Sequence, residues 1–370
     1  MKSCLPMTII YLSLLFSSLI ISCSNSDSEN IDDDLESTQK VNGDLEGRLF
    51  IGGDGEGWIL DISTGIYNRI PGVDWENKNG TYHALADFSA SSIAYNGNEF
   101  LTKITKCQKA GDDPLSGYDD CLVIYGVDGT QKQGNHLFED ILGEPKLSRD
   151  GQLMAFFYDH DKSDIDPALV IISRDFEPIS AISSPGFNVS PSLSWLPDNR
   201  IVYDRQQSIY ITNNKNTVGT PIVTFDENQG QPKQVTVSLD GKKIAFILQT
   251  DATFRTRTAT PWIINIDGSG LRQLAQVEAG RRPSFENLAW SPDGKYIFFT
   301  HGHVAAATTT DLGLIGGGYV IPSDSNNLVL NDDHPDIIHI RSYFAMKQGR
   351  SNVELTTDFS VKEGTVAWIP

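Results

Sequence analysis

Residues 288–299 read LAWSPDGKYIFF, which is two short apolar runs joined by Ser-Pro-Asp-Gly. Each run has the length and residue types of a β-strand, and the Asp-Gly between them predicts a tight hairpin turn. Glycine tolerates the positive φ that such a turn needs, and the aspartate before it can bond to the turn backbone. The stretch therefore predicts an antiparallel pair of strands.

Four more copies of this unit occur, namely LSRDGQLMAFF at 147–157, LSWLPDNRIVY at 193–203, VTVSLDGKKIAF at 235–246 and the shorter IAYNGNEFL at 93–101. Their turn positions are separated by 54, 48, 42 and 53 residues, at Gly97, Gly151, Asn199, Gly241 and Gly294. A third apolar strand and a weaker fourth strand follow each hairpin. A repeat of this length and content predicts the four-stranded blades of a β-propeller.

The sixth blade is split between the two ends of the chain. Residues 48–51, 57–61 and 67–70 supply a second, third and fourth strand, but no first strand precedes them. The last residues, TVAWIP at 365–370, repeat the first strand that contains Trp290. We therefore predict an all-β, six-bladed propeller in residues 46–370, with its first blade closed by the C-terminal strand. Trp58, Trp195, Trp262, Trp290 and Trp368 recur at two blade positions and are expected to pack between blades.

The hairpin WSPDGK at 290–295 and the segment NIDGSGL at 265–271 resemble the repeats of TolB-type six-bladed β-propellers. The resemblance covers the propeller only. TolB carries a further α/β domain before its propeller, whereas a signal and an acidic segment precede the first blade here. The resemblance therefore implies a TolB-like fold in a lipoprotein form that lacks the TolB N-terminal domain, and it implies little about function.

Residues 1–22 have the pattern of an export signal, with Lys2 followed by an apolar run that extends to Ile21. The run ends in LIISC at 19–23, which resembles the bacterial lipobox, so Cys23 is the predicted lipidation site. An ordinary secretory signal and an uncleaved span are the alternatives. Residues 23–45 hold seven acids and one lysine and predict a flexible tether with a reach of about 25 Å. We expect a lipid-anchored protein of the bacterial cell envelope, on the periplasmic face or the outer membrane.

Two cysteines, Cys107 and Cys121, remain outside the signal and anchor. In an exported chain they most simply form a disulfide across the 13 residues between them. A metal pair or a redox couple has no support, because no histidine is near and the spacing is not Cys-x-x-Cys. We therefore predict a bridge between the second and third strands of the blade that starts near Ile93.

The composition excludes some partners. With 29 Lys plus Arg against 48 Asp plus Glu, the formal charge is −19, which disfavours nucleic acid. The sequence lacks a Gly-x-Ser-x-Gly motif, which disfavours a serine hydrolase. We predict no cofactor and leave any metal unknown. Asp159, Asp161, Asp164 and Asp166 lack the glycine and terminal glutamate of a calcium loop, and the pairs His301/His303 and His334/His339, the latter in a predicted insertion at 331–364, lack further ligands.

The predicted function is non-catalytic binding of an envelope protein or an acidic glycan by a monomeric propeller that meets the membrane only through its lipid. The competing hypothesis is an envelope enzyme, such as a metal-dependent lactonase or a polysaccharide lyase, that uses the central funnel. The loops before first strands and between second and third strands should share one face. The predicted ligand-binding residues on that face are Arg255, Arg257, Arg281, Arg282, Phe285 and His301. The arginines would receive a carboxylate by bidentate hydrogen bonds.

Overall fold

The computed structural model is built of β-strands, which form six sheets of four or five strands and one further two-stranded sheet. It describes residues 45–53, 56–70, 82–84, 88–109, 119–138, 141–158, 168–183, 191–213, 215, 217, 219–250, 258–278, 285–301, 318–331, 334–340 and 364–370. Each of the six larger sheets is one blade of the predicted propeller, and neighbouring strands within a blade are antiparallel.

Blade 1 consists of β27 (Gly364–Ile369), β1 (Arg48–Gly53), β2 (Glu56–Asp61) and β3 (Tyr67–Arg69). Blade 2 consists of β5 (Phe88–Ile93), β6 (Glu99–Lys109), β7 (Asp119–Gly126) and β8 (Gln131–Phe138), with β4 (Tyr82–Ala84) paired to the far end of β6. Blade 3 consists of β9 (Ile141–Leu147), β10 (Leu153–Tyr158), β11 (Ala168–Ser173) and β12 (Pro178–Ser183).

Blade 4 consists of β13 (Leu193–Trp195), β14 (Ile201–Arg205), β15 (Ser208–Ile211) and β16 (Thr220–Thr224). Blade 5 consists of β17 (Gln231–Val237), β18 (Lys243–Thr250), β19 (Thr258–Asn265) and β20 (Arg272–Gln273). Blade 6 consists of β22 (Phe285–Trp290), β23 (Tyr296–His301), β24 (Gly318–Pro322) and β26 (Ile338–His339). A parallel pair, β21 (Ala275–Val277) with β25 (Leu328–Leu330), joins blades 5 and 6.

The predicted hairpin turns all adopt the left-handed backbone conformation. The residue after the turn Asp or Asn has φ of 69° at Gly97, 69° at Gly151, 63° at Asn199, 71° at Gly241 and 71° at Gly294. In blade 6 the Asp293 carboxylate accepts hydrogen bonds from the Ser291 hydroxyl at 2.7 Å and the Lys295 amide at 3.0 Å. The repeated sequence therefore produces one turn geometry in five blades.

Ring closure by the C-terminus is confirmed. The last strand, β27, pairs with β1 from Gly364 to Ile369, so the ends of the chain share one sheet. Trp368 is buried in a core cluster that holds Leu49 and Ile51 of blade 1 and Phe298 of blade 6. The split blade is therefore both hydrogen-bonded and packed against its neighbour.

The tryptophans of the first strands pack between blades, as the repeat predicts. The indole N–H of Trp195 donates to the Lys146 carbonyl oxygen of blade 3 at 3.0 Å, and that of Trp290 donates to the Thr236 oxygen of blade 5 at 3.1 Å. Each indole therefore buries its apolar rings against the previous blade and still satisfies its single donor.

The structure adds two features that the repeat does not show. The fourth strand of blade 6, β26, contains His339 and lies inside the segment expected to be an insertion. Leu45, the last residue of the predicted tether, is 1% exposed and packs into the core of blades 1 and 6. The folded body therefore includes Leu45.

Candidate functional site

The first strands of all six blades line one central cavity of about 760 Å³. We call the end at the Asp-Gly turns its floor, and the opposite end, where β22 begins and β23 ends, its mouth. This cavity is the funnel of the propeller, and residues from all six blades converge there. Binding groups placed on six rigid strands are held more precisely than groups on free loops.

Bulges turn polar side chains towards the funnel in neighbouring blades. The pairing register breaks at Gln234 in β17 and at Asn287 in β22, where φ is 53° and 59°. A bulge leaves one residue out of the ladder and redirects its side chain. The two bulges are linked, because the Asn287 amide donates to Oε1 of Gln234 at 2.7 Å. Non-glycine residues at positive φ carry strain, and such strain concentrates at binding sites.

Serine hydroxyls connect the innermost strands of adjacent blades. The Ser92 hydroxyl accepts the Leu147 amide at 2.8 Å. Ser192 and Ser194 do the same for the amides of Val235 at 2.9 Å and Val237 at 3.0 Å. These bonds occupy strand edges that would otherwise be open, and they fix the blades to one another. The funnel wall is therefore preorganised.

Charges of both signs lie on the wall. Glu144 and Lys146 are two residues apart on β9, and Lys233 and Glu286 come from blades 5 and 6. Burial lowers the pKa of Lys146, and the nearby Glu144 carboxylate partly offsets this effect. Oε2 of Glu144 is buried and accepts no hydrogen bond from the residues that the structure describes. This carboxylate oxygen is available to a donor from a ligand.

At the floor, Arg149 of blade 3 reaches across to blade 5. Its guanidinium donates to the backbone oxygens of Ser238, at 2.8 Å, and Leu239. Burial lowers the pKa of Arg149, while the Tyr95 and Asp240 side chains act in the opposite direction. Because blade 4 separates blades 3 and 5, the arginine spans part of the floor.

Neither a family model nor a curated protein matches the chain. Among solved structures, TolB from Acinetobacter baumannii is similar with a TM-score of 0.51 and 14% identity, over 77% of this chain and 66% of that one. The fold is that of a TolB-like propeller. This chain spans about two thirds of that TolB. The propeller also resembles a putative TolB from Agrobacterium tumefaciens, with 16% identity over 77% and 88% of the chains and a TM-score of 0.49. A protein of unknown function from Bacteroides caccae has 11% identity over 88% and 99% of the chains and a TM-score of 0.49.

Two of the predicted ligand-binding residues of this TolB-like propeller lie together at the mouth of the funnel. Phe285 and His301 face each other across β22 and β23, with ring centroids 4.9 Å apart. Phe285 is 0% exposed and also packs against Phe299, so its ring belongs to the blade core. The four predicted arginines, at 255, 257, 281 and 282, lie outside the described residues, as do 159–167 and His303. Within the described ranges, no three His, Cys, Asp or Glu side chains form a metal-binding group.

The cysteines of the TolB-like propeller are placed in part. Cys107 and Cys121 lie on the neighbouring strands β6 and β7, in the expected blade. Cys121 is completely buried and disulfide-bonded. The Cys107 side chain and all of Cys23 lie outside the described part, so the predicted bridge and anchor stay predictions. In the part of the chain that the structure describes, no helix has the length and apolar character needed to cross a bilayer.

Sequence reasoning missed the charged residues inside the funnel of this TolB-like propeller. Arg149 occupies the repeat position that holds Pro197, Leu239 and Pro292 in other blades. A charge at a position that is otherwise apolar was a usable signal. Glu144 gave no such signal, because the equivalent positions are polar in blades 4, 5 and 6.

Proposed function

We propose that this chain is a lipid-anchored propeller of the bacterial cell envelope that binds a protein or glycan partner without catalysing a reaction. The preorganised funnel carries the proposal, because all six blades contribute to it and its wall bears groups of both charges. Such a cavity can hold a ligand with few ordered contacts on each blade. The partner enters at the mouth, where loops can vary without disturbing the sheets.

The anchor rests on Cys23 and the acidic segment that follows it. Lipid attached at Cys23 would hold the propeller near the membrane surface, and the tether would keep its mouth accessible. The variant Cys23→Ser should fold but should not incorporate a radiolabelled fatty acid in cells. The control variant is Cys121→Ser, which should still incorporate the labelled fatty acid. Labelled Cys23→Ser protein would contradict the anchor.

The predicted arginine patch supplies the test of binding. The variant with Arg255, Arg257, Arg281 and Arg282 replaced by alanine should lose partner capture in a crosslinking pull-down from native envelope. A charge-matched control replaces Lys132, Arg200, Lys242 and Lys295, which pair with aspartates at the floor side. The control should capture normally, and both variants should melt near the wild-type temperature. Capture retained by the first variant would rule out the charge-dependent patch. A stoichiometric metal in the purified protein would favour the competing enzyme hypothesis.

A further inference from the structure

Arg149 is the one charged residue at the floor level of the repeat among the described blades. The equivalent residues elsewhere are Tyr95, Pro197, Leu239, Pro292 and Pro370. Arg149, Tyr95, Leu239 and Pro292 all line the cavity. At this position of the repeat, a single guanidinium therefore lies among apolar and aromatic side chains.

The positive charge of Arg149 is not neutralised at close range. Its two hydrogen bonds go to neutral carbonyl oxygens, and no ion pair joins it to a described carboxylate. The Asp240 carboxylate acts on the pKa of Arg149 without forming an ion pair with it, and its Oδ1 accepts the Ser238 hydroxyl at 2.7 Å and the Lys242 amide at 3.0 Å. A guanidinium has five N–H donors, so donors remain for a ligand.

Tyr95 supplies a second donor beside this charge. Tyr95 and Arg149 both line this end of the cavity. Burial raises the pKa of the Tyr95 phenol, and the positive charge of Arg149 acts against that rise. A carboxylate between them would accept a charge-assisted hydrogen bond from each residue. The floor thus has the donor set of a small anion site.

We propose that the funnel floor binds the C-terminal carboxylate of an extended peptide, through Arg149 and Tyr95. This inference rests on the proposed binding function and names its ligand class. Because Arg149 spans part of the floor, its guanidinium lies where the end of a chain that enters at the mouth would arrive. A peptide chain carries its α-carboxylate at its end.

The wall above the floor favours a peptide over an acidic glycan. Glu144 and Glu286 line the cavity together with Lys146 and Lys233, so acids and bases are equal in number on the wall, which is not the basic channel that the repeated carboxylates of a polyuronate require. A peptide has only one terminal acid, and its backbone N–H groups suit the buried Oε2 of Glu144. Arg149 lies five positions after Glu144, which is at most about 16 Å of chain, so a ligand of up to about five residues would span both.

Affinity selection with defined pools tests the proposal. The immobilised full-length mature protein is offered randomised pentapeptides with a free C-terminal carboxylate, and the same pool as C-terminal amides. Retained peptides are quantified by mass spectrometry. We expect the acids to be retained about 10- to 100-fold more strongly, the value of a lost charged hydrogen bond. Equal retention of acids and amides would overturn the proposal.

Variants locate the site. Arg149→Met should abolish the preference for acids, and Tyr95→Phe, which keeps the ring, should reduce it several-fold. Arg174→Met is the matched control, because Arg174 pairs with Glu99 outside the funnel and should leave the preference unchanged. Because Arg149→Met removes hydrogen bonds between blades 3 and 5, its melting curve is measured. If Arg149→Met proves to be unfolded, the acid preference of Tyr95→Phe decides the outcome. An acid preference that survives in both folded variants would overturn the assignment.

Two further outcomes separate the hypotheses. If trigalacturonate competes as strongly as the peptides and depends on Arg149, the glycan is the ligand and the peptide proposal is wrong. If acids show no preference while the wild-type protein still captures its envelope partner, this inference fails and the proposed function stands. If the wild-type protein shows neither the acid preference nor capture of an envelope partner, both this inference and the proposed function are wrong.

Discussion

The indole N–H of Trp368 donates to the backbone oxygen of Glu46 at 2.8 Å, although the two residues are 322 positions apart. Alongside it, Nε of Arg48 donates to the terminal carbonyl oxygen of Pro370 at 3.1 Å. These bonds and the β1–β27 ladder join the two ends of the chain. The ring depends on a strand that contributes only six residues.

Removal of residues 365–370 should therefore open the ring. The deletion exposes the edge of β1 and removes a tryptophan that is 6% exposed. The milder variant Trp368→Ala should lose about 3–5 kcal/mol of unfolding free energy. Trp368→Phe keeps much of the packing and should lose less, mainly the hydrogen bond at about 1 kcal/mol. Urea unfolding measures both, and an unchanged midpoint for the deletion would show that closure lies elsewhere.

The turn aspartates predict how stability responds to acid. For Asp150, Asp240 and Asp293, burial raises the pKa, but the serine hydroxyl and a backbone amide more than offset it, so the pKa is lowered from 3.8. A lowered pKa in the folded state stabilises the protein above the unfolded pKa, and this contribution is lost as pH falls through the folded value. The melting temperature should thus be flat from about pH 6 to 5 and fall below about pH 4.

Replacing all three aspartates with asparagine tests whether they cause the loss of stability in acid. Asparagine keeps an acceptor oxygen, as Asn96 does in blade 2, where its Oδ1 accepts the Asn98 amide at 2.9 Å. The triple variant should fold, and its melting temperature should fall less steeply below about pH 4 than that of the wild type. An equally steep fall would assign the acid sensitivity to other carboxylates.

The parts of this fold that the sequence predicts are those set by local chemistry. Glycine or asparagine at a hairpin turn fixes the sign of φ, and the repeated tryptophan marks the first strand even when that strand comes from the other end of the chain. The two-residue strand Ile338–His339 could not be predicted, since it is too short to show alternation and depends on pairing with β24.

Contacts between blades inside the funnel could not be predicted from the sequence. The position of Arg149 in the repeat is visible, but its partners at Ser238 and Leu239 lie about 90 residues away and are brought together only by the ring. The bulge at Asn287 is also set by a neighbouring blade, through the side chain of Gln234. The position of a residue in the repeat predicts its height along the funnel, whereas its contacts with other blades depend on how the ring closes.

The cysteines give a prediction about oxidation state. If Cys107 and Cys121 are bridged, unreduced digests of protein from the envelope should contain one linked peptide pair that reduction separates. By the loop-entropy model the bridge contributes about 3 kcal/mol, so reduction should lower the unfolding midpoint. The variants Cys107→Ser and Cys121→Ser, and the double variant, should be destabilised by similar amounts. Free thiols in protein taken from the envelope would contradict the bridge.

Two turn glycines provide a matched pair that separates backbone strain from packing. Gly241 and Gly294 have the same φ of 71°, but a Cβ on Gly241 would lie 2.8 Å from Cδ of Pro197, whereas one on Gly294 would meet nothing within 4 Å. Gly294→Ala should therefore cost only the left-handed strain, about 1–2 kcal/mol. Gly241→Ala adds a clash with a proline ring that cannot rotate away, worth a further 1–3 kcal/mol or so.

Substitution of the same two glycines by asparagine further separates backbone strain from the packing clash. Gly294→Asn should cost less than Gly294→Ala, because Asn199 occupies the equivalent turn with φ of 63° and asparagine tolerates this conformation. Gly241→Asn should stay strongly destabilised, since the clash involves Cβ whatever follows it. Urea midpoints of the four variants measure these differences. Equal losses for the two alanine variants would show that strain alone governs the turns and that blades 4 and 5 are not in close contact there.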